Sequence, residues 1–231
     1  MSSFRFKQFK VEQDGVAMKV GTDGVLLGAW ADCSSASSIL DIGTGTGLIA
    51  LMVAQRSMAQ RIVGIDVDAA AVECATANFA ASPWSERLAA VECAAQKYDG
   101  EKFDLILSNP PYFVDSLHSP DGQRTVARHT TELTFETLDC SVCRLLADGG
   151  RFALILPTEQ MEYYLSITKL NLARRCDVIT VLGGETKRVM AELTADRVDV
   201  PTVESVVIEN GARGDYNAQY RELTKDFYLK F

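Results

Sequence analysis

Residues 38–56, SILDIGTGTGLIALMVAQR, constrain the fold more than any other stretch. A short apolar run that reads as a buried strand enters a turn with glycine at every second position, and an apolar helix-length run follows. Strand, tight glycine turn and helix in that order form a unit of open α/β sheets, in which the turn's backbone can approach a ligand. The same alternation continues downstream. RIVGID (61–66) reads as the next strand and 69–82 as a helix, followed by RLAAVE (87–92), FDLILS (103–108), a helix near 132–147 and GRFALILP (150–157). A helix over 159–170 and two strands, DVITVL and RVMAELT, complete the pattern. Strands alternating with helices at this spacing predict an α/β fold with a parallel sheet covered on both faces.

The chain has 231 residues, 47% of them hydrophobic and 23% charged, which is enough apolar material for one domain spanning 1–231. Segments 1–35 and 201–231 are expected to flank that domain, the second ending in a short aromatic helix packed against it. No apolar run approaches the roughly 18 residues of a membrane span, and the N-terminus shows no apolar core of a signal peptide, so a cytoplasmic protein is expected. Six cysteines are too few for a disulfide framework in a chain this long. Cys140 and Cys143 form a CxxC, but no second pair completes a tetrahedral metal site. On a helix the two are expected to face the core as free thiols, and no metal is expected.

The spacing Gly43, Gly45, Gly47 is GxGxG, with Leu48 where a dinucleotide fingerprint requires glycine. That mismatch favours a ligand without a pyrophosphate. Asp66 ends the second strand, beside the turn, where its carboxylate can accept both hydroxyls of a ribose. Asp41 precedes the turn and can hold the loop or face an ammonium group. S-adenosylmethionine, with a ribose, no phosphate and an ammonium, fits this set best.

At the end of the fourth strand stands Asn109-Pro110-Pro111-Tyr112. Proline cannot donate to a sheet ladder and keeps the preceding residue extended, so the chain leaves the strand in a stiff turn on the ligand-binding edge. An amine conjugated to a planar ring is a poor nucleophile. The Asn109 side-chain oxygen and the Pro110 carbonyl can each accept one of its N–H groups, which aims the nitrogen lone pair at a methyl donor. Pro111 and Tyr112 border the substrate, the Tyr112 ring offering a surface on which a base can stack.

With AMKVGTDGVLLGAWA (17–31), LDIGTGTGLIAL, SPWSERL, FDLILSNPPYF and YNAQYRELTKDFYL, the chain resembles the bacterial tRNA1(Val) adenine-N6 methyltransferases over nearly its whole length. The resemblance implies a class I methyltransferase fold: a Rossmann-like three-layer sandwich with a mostly parallel seven-stranded sheet. It also implies methylation of the exocyclic amine of adenine 37, beside the anticodon of the tRNA. Gly43 to Gly47, Asp66 and Asn109 then carry cofactor and catalysis, and Thr22 and Asp23 border the cofactor's methionine end. One departure is Ala95, at the position where related enzymes often carry an acid facing the cofactor's adenine; Glu92, Gln96 or a backbone carbonyl can substitute.

The net charge of −8 argues against a general basic coat but not against a local patch. Arg124, Arg128 and His129, in the long polar loop after Tyr112, are candidates to grip tRNA phosphates, with Lys7, Lys10 and Lys19 nearer the N-terminus. No obligatory protein partner is evident. Three alternatives stand beside this reading. Methylation of a protein glutamine amide usually needs a helical domain before the glycine turn, and only about 40 residues precede it here. DNA adenine methylation needs a target-recognition domain for which there is no room. An inactive cofactor-binding protein is at odds with an intact Asn109–Tyr112.

Overall fold

The computed structural model describes residues 3–16, 18–111 and 133–230. Ser3–Arg5 (β1) and Lys10–Glu12 (β2) form an antiparallel hairpin. The helix Thr22–Trp30 (α1) leads to Ser38–Ile42 (β3), the helix Leu48–Arg56 (α2) and Arg61–Asp66 (β4). The helix Ala69–Ala80 (α3) precedes Leu88–Glu92 (β5) and Phe103–Ser108 (β6). Then come the helix Phe135–Leu145 (α4), Leu146–Pro157 (β7), the helix Thr158–Ile167 (α5), Asn171–Val181 (β8), Thr186–Thr194 (β9), Thr202–Glu209 (β10) and the helix Ala218–Thr224 (α6).

The central sheet runs β10-β8-β9-β7-β6-β3-β4-β5. All neighbours are parallel except β9, which is antiparallel to both β7 and β8. Side chains alternate along each strand, so each strand feeds two cores. Leu105 and Leu107 pack toward α1, α2 and α3, while Ile106 packs toward α4 and α5; Ile39 and Leu40 divide the same way. Helices therefore cover both faces, as the alternating pattern predicts. Tyr220 and Phe227 enter the first core, and the Lys7 N–H donates to the Phe227 carbonyl at 2.8 Å, so the two ends of the chain are tied together.

Three expectations are corrected. The sheet has eight strands rather than seven. The extra strand, β10, has only Val206 and Val207 buried and is pinned at the edge by Glu204, which accepts from the Trp30 indole at 2.6 Å and pairs with Arg174 at 2.8 Å. Those partners are far away in sequence, so no local apolar signal marks the strand. The helix expected to reach residue 170 ends at Ile167, and β8 begins at Asn171. Cys140 and Cys143 are exposed. Phe135, Leu138, Val142 and Leu145 set the buried stripe of α4, and at 3.6 residues per turn both cysteines fall on the opposite side. Among the described residues no helix is long and apolar enough to cross a membrane.

Candidate active site

The site lies at the carboxyl edge of β3, β4 and β6. Gly43, Gly45 and Gly47 have φ of +74°, +54° and +80°, the left-handed region in which side chains are strained. An added Cβ at Gly43 or Gly45 would meet nothing within 4 Å, so this part of the turn faces open space. The turn is held from behind. Gly43 and Thr44 donate their N–H groups to the Ile65 carbonyl, at 2.9 and 3.0 Å, and the Gly47 N–H donates to the Thr44 carbonyl at 2.8 Å. Asp66 accepts from the Gly45 N–H at 2.9 Å through Oδ2 and from the Asp68 N–H at 3.0 Å through Oδ1. Its half-buried carboxylate is thus aimed by two backbone donors and keeps lone pairs for a ligand.

Asp41 is fully buried and accepts from the Thr44 hydroxyl at 2.7 Å. Burial pushes its carboxyl up to about 7, with the Thr44 hydrogen bond acting in the opposite direction. The Oδ1 of Asn109 is buried without a hydrogen-bond partner among the described residues. An acceptor left bare in this way is costly unless a ligand completes it. The strand beneath Asn109 is fixed to β3, because the Ser108 hydroxyl donates to the Ile42 carbonyl at 3.0 Å.

Sequence comparison decides the family. The model of the family described as methyltransferase small domain matches residues 21–160. The tRNA1(Val) (adenine(37)-N6)-methyltransferase of Phocaeicola vulgatus is 49% identical over 230 residues, covering 98% of this chain and 97% of that one. The proteins of the same name from Bacteroides thetaiotaomicron and Aeromonas hydrophila are each 46% identical, covering 98% and 99% of this chain and 97% and 98% of theirs. The chain belongs to the tRNA1(Val) (adenine(37)-N6)-methyltransferase family. Solved structures agree on the fold. A predicted O-methyltransferase from Agrobacterium tumefaciens aligns with TM-score 0.67 at 15% identity, over 89% of this chain and 96% of that one. A ribosomal protein L11 methylase from Lactobacillus delbrueckii subsp. bulgaricus aligns with TM-score 0.55 at 16% identity, over 80% and 83%.

In this methyltransferase the structure brings Asp41, Gly43, Gly45, Gly47, Asp66, Asn109 and a buried Pro110 to one edge, with Pro111 exposed beside them. Tyr112, Arg124, Arg128 and His129 lie outside the described residues. Gly24 of α1 packs on Leu48 and Ile49, so Thr22 and Asp23 stand beside the start of α2. Thr22 is exposed, and Asp23 accepts from Arg188 Nε at 3.0 Å. Lys19 is exposed, whereas Lys10 pairs with Glu12 and Lys7 donates to the Lys225 carbonyl at 2.5 Å. Ala95 is buried and its carbonyl accepts from Arg144 at 2.9 Å, while Glu92 is exposed.

Sequence reasoning missed three residues that shape this edge. Arg188, at the start of β9, faces Asp23; its only local signal is the Lys187-Arg188 pair after a glycine turn. Arg144 holds the loop after β5 by its Ala95 and Tyr98 carbonyls. Asn78 is a buried amide on α3, marked only by being polar on a face otherwise occupied by Ala71, Ala75 and Phe79.

Proposed function

We propose that the protein transfers a methyl group from S-adenosylmethionine to the exocyclic N6 amine of adenine 37 in the anticodon loop of tRNA1(Val). The observation that carries this reading is the Oδ1 of Asn109, buried with no hydrogen-bond partner among the described residues on the edge that holds the glycine turn and Asp66. The open face of the turn suits the methionine end and ribose of the cofactor, and Asp66 suits the ribose hydroxyls. The Asp66 carboxylate beside the turn disfavours a phosphate there. When bound, S-adenosylmethionine would supply an electrophilic methyl carbon on a sulfonium, whose carbon–sulfur bond breaks as the methyl is transferred and which leaves as the neutral thioether S-adenosylhomocysteine.

The chain's own part is to make an adenine amine nucleophilic. Asn109 Oδ1 and the Pro110 carbonyl each accept one N–H, so the nitrogen lone pair leaves the ring and is available for the methyl carbon. The same two acceptors stabilise positive charge as the nitrogen gains its fourth bond, and one N–H proton then departs to solvent. Pro110 has no N–H to compete for the site. The base must leave its stack to arrive there, which costs a few kcal/mol and less in a loop than in a duplex. Pro111 and Tyr112 are assigned to receive it. Lys19, Arg124, Arg128 and His129 are assigned to the flanking phosphates, and the reaction places the protein in the cytoplasm with tRNA.

The test is nucleoside mass spectrometry of tRNA from a strain lacking this gene, incubated with the protein and S-adenosylmethionine. New N6-methyladenine mapping to position 37 of tRNA1(Val), and absent with Asn109→Ala, is the expected result. Unchanged tRNA together with intact cofactor binding would refute the substrate and make protein glutamine amides the next candidate.

A further inference from the structure

Asn78 is 2% exposed and stands inside α3, where an unpaired amide would be costly. Its Nδ2 donates to the Thr46 carbonyl within the glycine turn at 2.9 Å and to the Glu12 carbonyl of β2 at 2.9 Å. Its Oδ1 accepts from the Glu12 N–H at 2.9 Å. Both amide protons are therefore committed, one to each side.

The next residue works on the same peptide. A Cβ at Gly47 would lie 2.4 Å from the Phe79 ring, so Phe79 packs on the Cα of Gly47 while Asn78 holds the carbonyl of Thr46. Together they set the tilt of the Thr46–Gly47 peptide, and hence the direction in which the open face of the turn looks. The opposite end of the link is equally defined. From Glu12 the chain passes to Gln13, whose Oε1 accepts from the Val20 N–H at 2.8 Å, one residue before the Gly21 cap of α1. One buried amide thus joins the glycine turn to the segment that ends at Thr22 and Asp23.

We propose that Asn78 is a positioning residue for the cofactor, coupling the shape of the glycine turn to the docking of residues 10–16 and 18–21. The proposal rests on the reading that the turn holds S-adenosylmethionine. Because ordering either side of the amide orders the other, filling the turn stabilises the N-terminal segment, and the docked segment raises cofactor affinity.

The test uses S-adenosylhomocysteine binding by calorimetry, KM and kcat for methyl transfer, and hydrogen exchange of residues 10–21. Asn78→Asp is nearly isosteric and keeps the acceptor for Glu12, but sets a carboxylate against both carbonyls. It is expected to weaken binding and raise KM for S-adenosylmethionine about tenfold or more, with kcat at saturation nearly unchanged. Cys74→Ala removes a thiol that donates to the Glu12 carbonyl at 3.1 Å and lies 3.7 Å from Asn78 Nδ2 without reaching the turn; both carbonyl bonds of the amide remain, so affinity is expected to be unchanged. In the wild type the ligand should slow exchange over residues 10–21, and in Asn78→Asp it should not. If the Asp variant does not fold, Asn78→Ser, which is too short to reach Thr46 and brings no charge, carries the same expectation. Wild-type affinity in the variant that folds, or no ligand effect on exchange in the wild type, overturns the proposal. A wild type that fails to bind S-adenosylhomocysteine overturns the cofactor reading itself, and this proposal with it.

Discussion

The Thr44 hydroxyl reaches back to Asp41 Oδ2 at 2.7 Å, and it passes directly over the bare backbone of Gly64. Asp41 and Gly64 are register partners on adjacent parallel strands, so the missing side chain on β4 is what lets the turn fold down onto β3.

Replacing Gly64 by alanine should break this arrangement. The new Cβ would lie 2.5 Å from Thr44 Oγ1, 2.8 Å from its Cβ and 2.9 Å from its Cγ2, so the whole side chain would have to shift. Overpacking of this kind costs about 1–3 kcal/mol. Urea unfolding of Gly64→Ala should show a lower midpoint with an unchanged slope, together with weaker S-adenosylhomocysteine binding. A midpoint equal to wild type would mean that Thr44 moves aside freely.

Asp41 should give stability a pH dependence of unusual sign for a carboxylate. Its folded value of about 7 lies above the reference 3.8, so the folded state binds the proton more tightly than the unfolded state does. Its contribution is most favourable below about 4, declines as pH rises toward 7, and is flat above. The full span is on the order of 4 kcal/mol. Asp41→Asn, neutral throughout, should therefore gain stability relative to wild type as pH rises through that window. Parallel melting curves for the two proteins across that range would contradict the assignment.

Asn109→Ala separates chemistry from cofactor binding. Loss of one preorganised acceptor at a transition state removes about 2.7–4 kcal/mol, or roughly a hundred- to a thousand-fold in rate. Affinity for S-adenosylhomocysteine, measured by calorimetry, should stay close to wild type. Equal loss of binding and turnover would show that Asn109 serves the fold of the turn instead.

Arg87 offers a contrast in which stability changes and catalysis does not. Its guanidinium donates to the carbonyls of Ala54, Ser57 (3.0 Å) and Ala59 (2.6 Å), closing the carboxyl end of α2 far from the site. Arg87→Met leaves those acceptors without their charged donor, and charge-assisted bonds of this kind are worth about 1.5–3 kcal/mol each. The variant should melt at a lower temperature yet keep wild-type KM for both substrates when assayed well below its transition. A raised KM would indicate that the distortion travels along α2 to the glycine turn.

The groups proposed for cofactor and amine were legible in the chain because each is announced by its own neighbours. Alternating apolar runs specify the strands, glycine at every second position specifies the turn, Asp66 ends a strand, and two prolines stiffen the exit after Asn109. Those signals depend on backbone geometry over a few residues, and the order of strands follows from the rules that govern parallel sheets. The groups that hold the site in shape were not legible. Asn78 meets Glu12 from 66 residues away, Arg188 meets Asp23 from 165, and Glu204 meets Trp30 from 174. Nothing local distinguishes such side chains from ordinary polar residues, since their value lies wholly in partners that the fold supplies.

The cysteines of α4 show the same division from the opposite side. Their i, i+3 spacing ensures that they share a helix face, but it is the phase of Phe135, Leu138, Val142 and Leu145 against the sheet that turns the face outward. The chain by itself determined the α/β alternation, the glycine turn and the sheet edge to which Asp41, Asp66 and Asn109 are brought. Tertiary structure alone decided the eighth strand, the neutralising environment of Asp41 and the amide that locks the turn, because burial and pairing between distant segments exist only once the layers have closed.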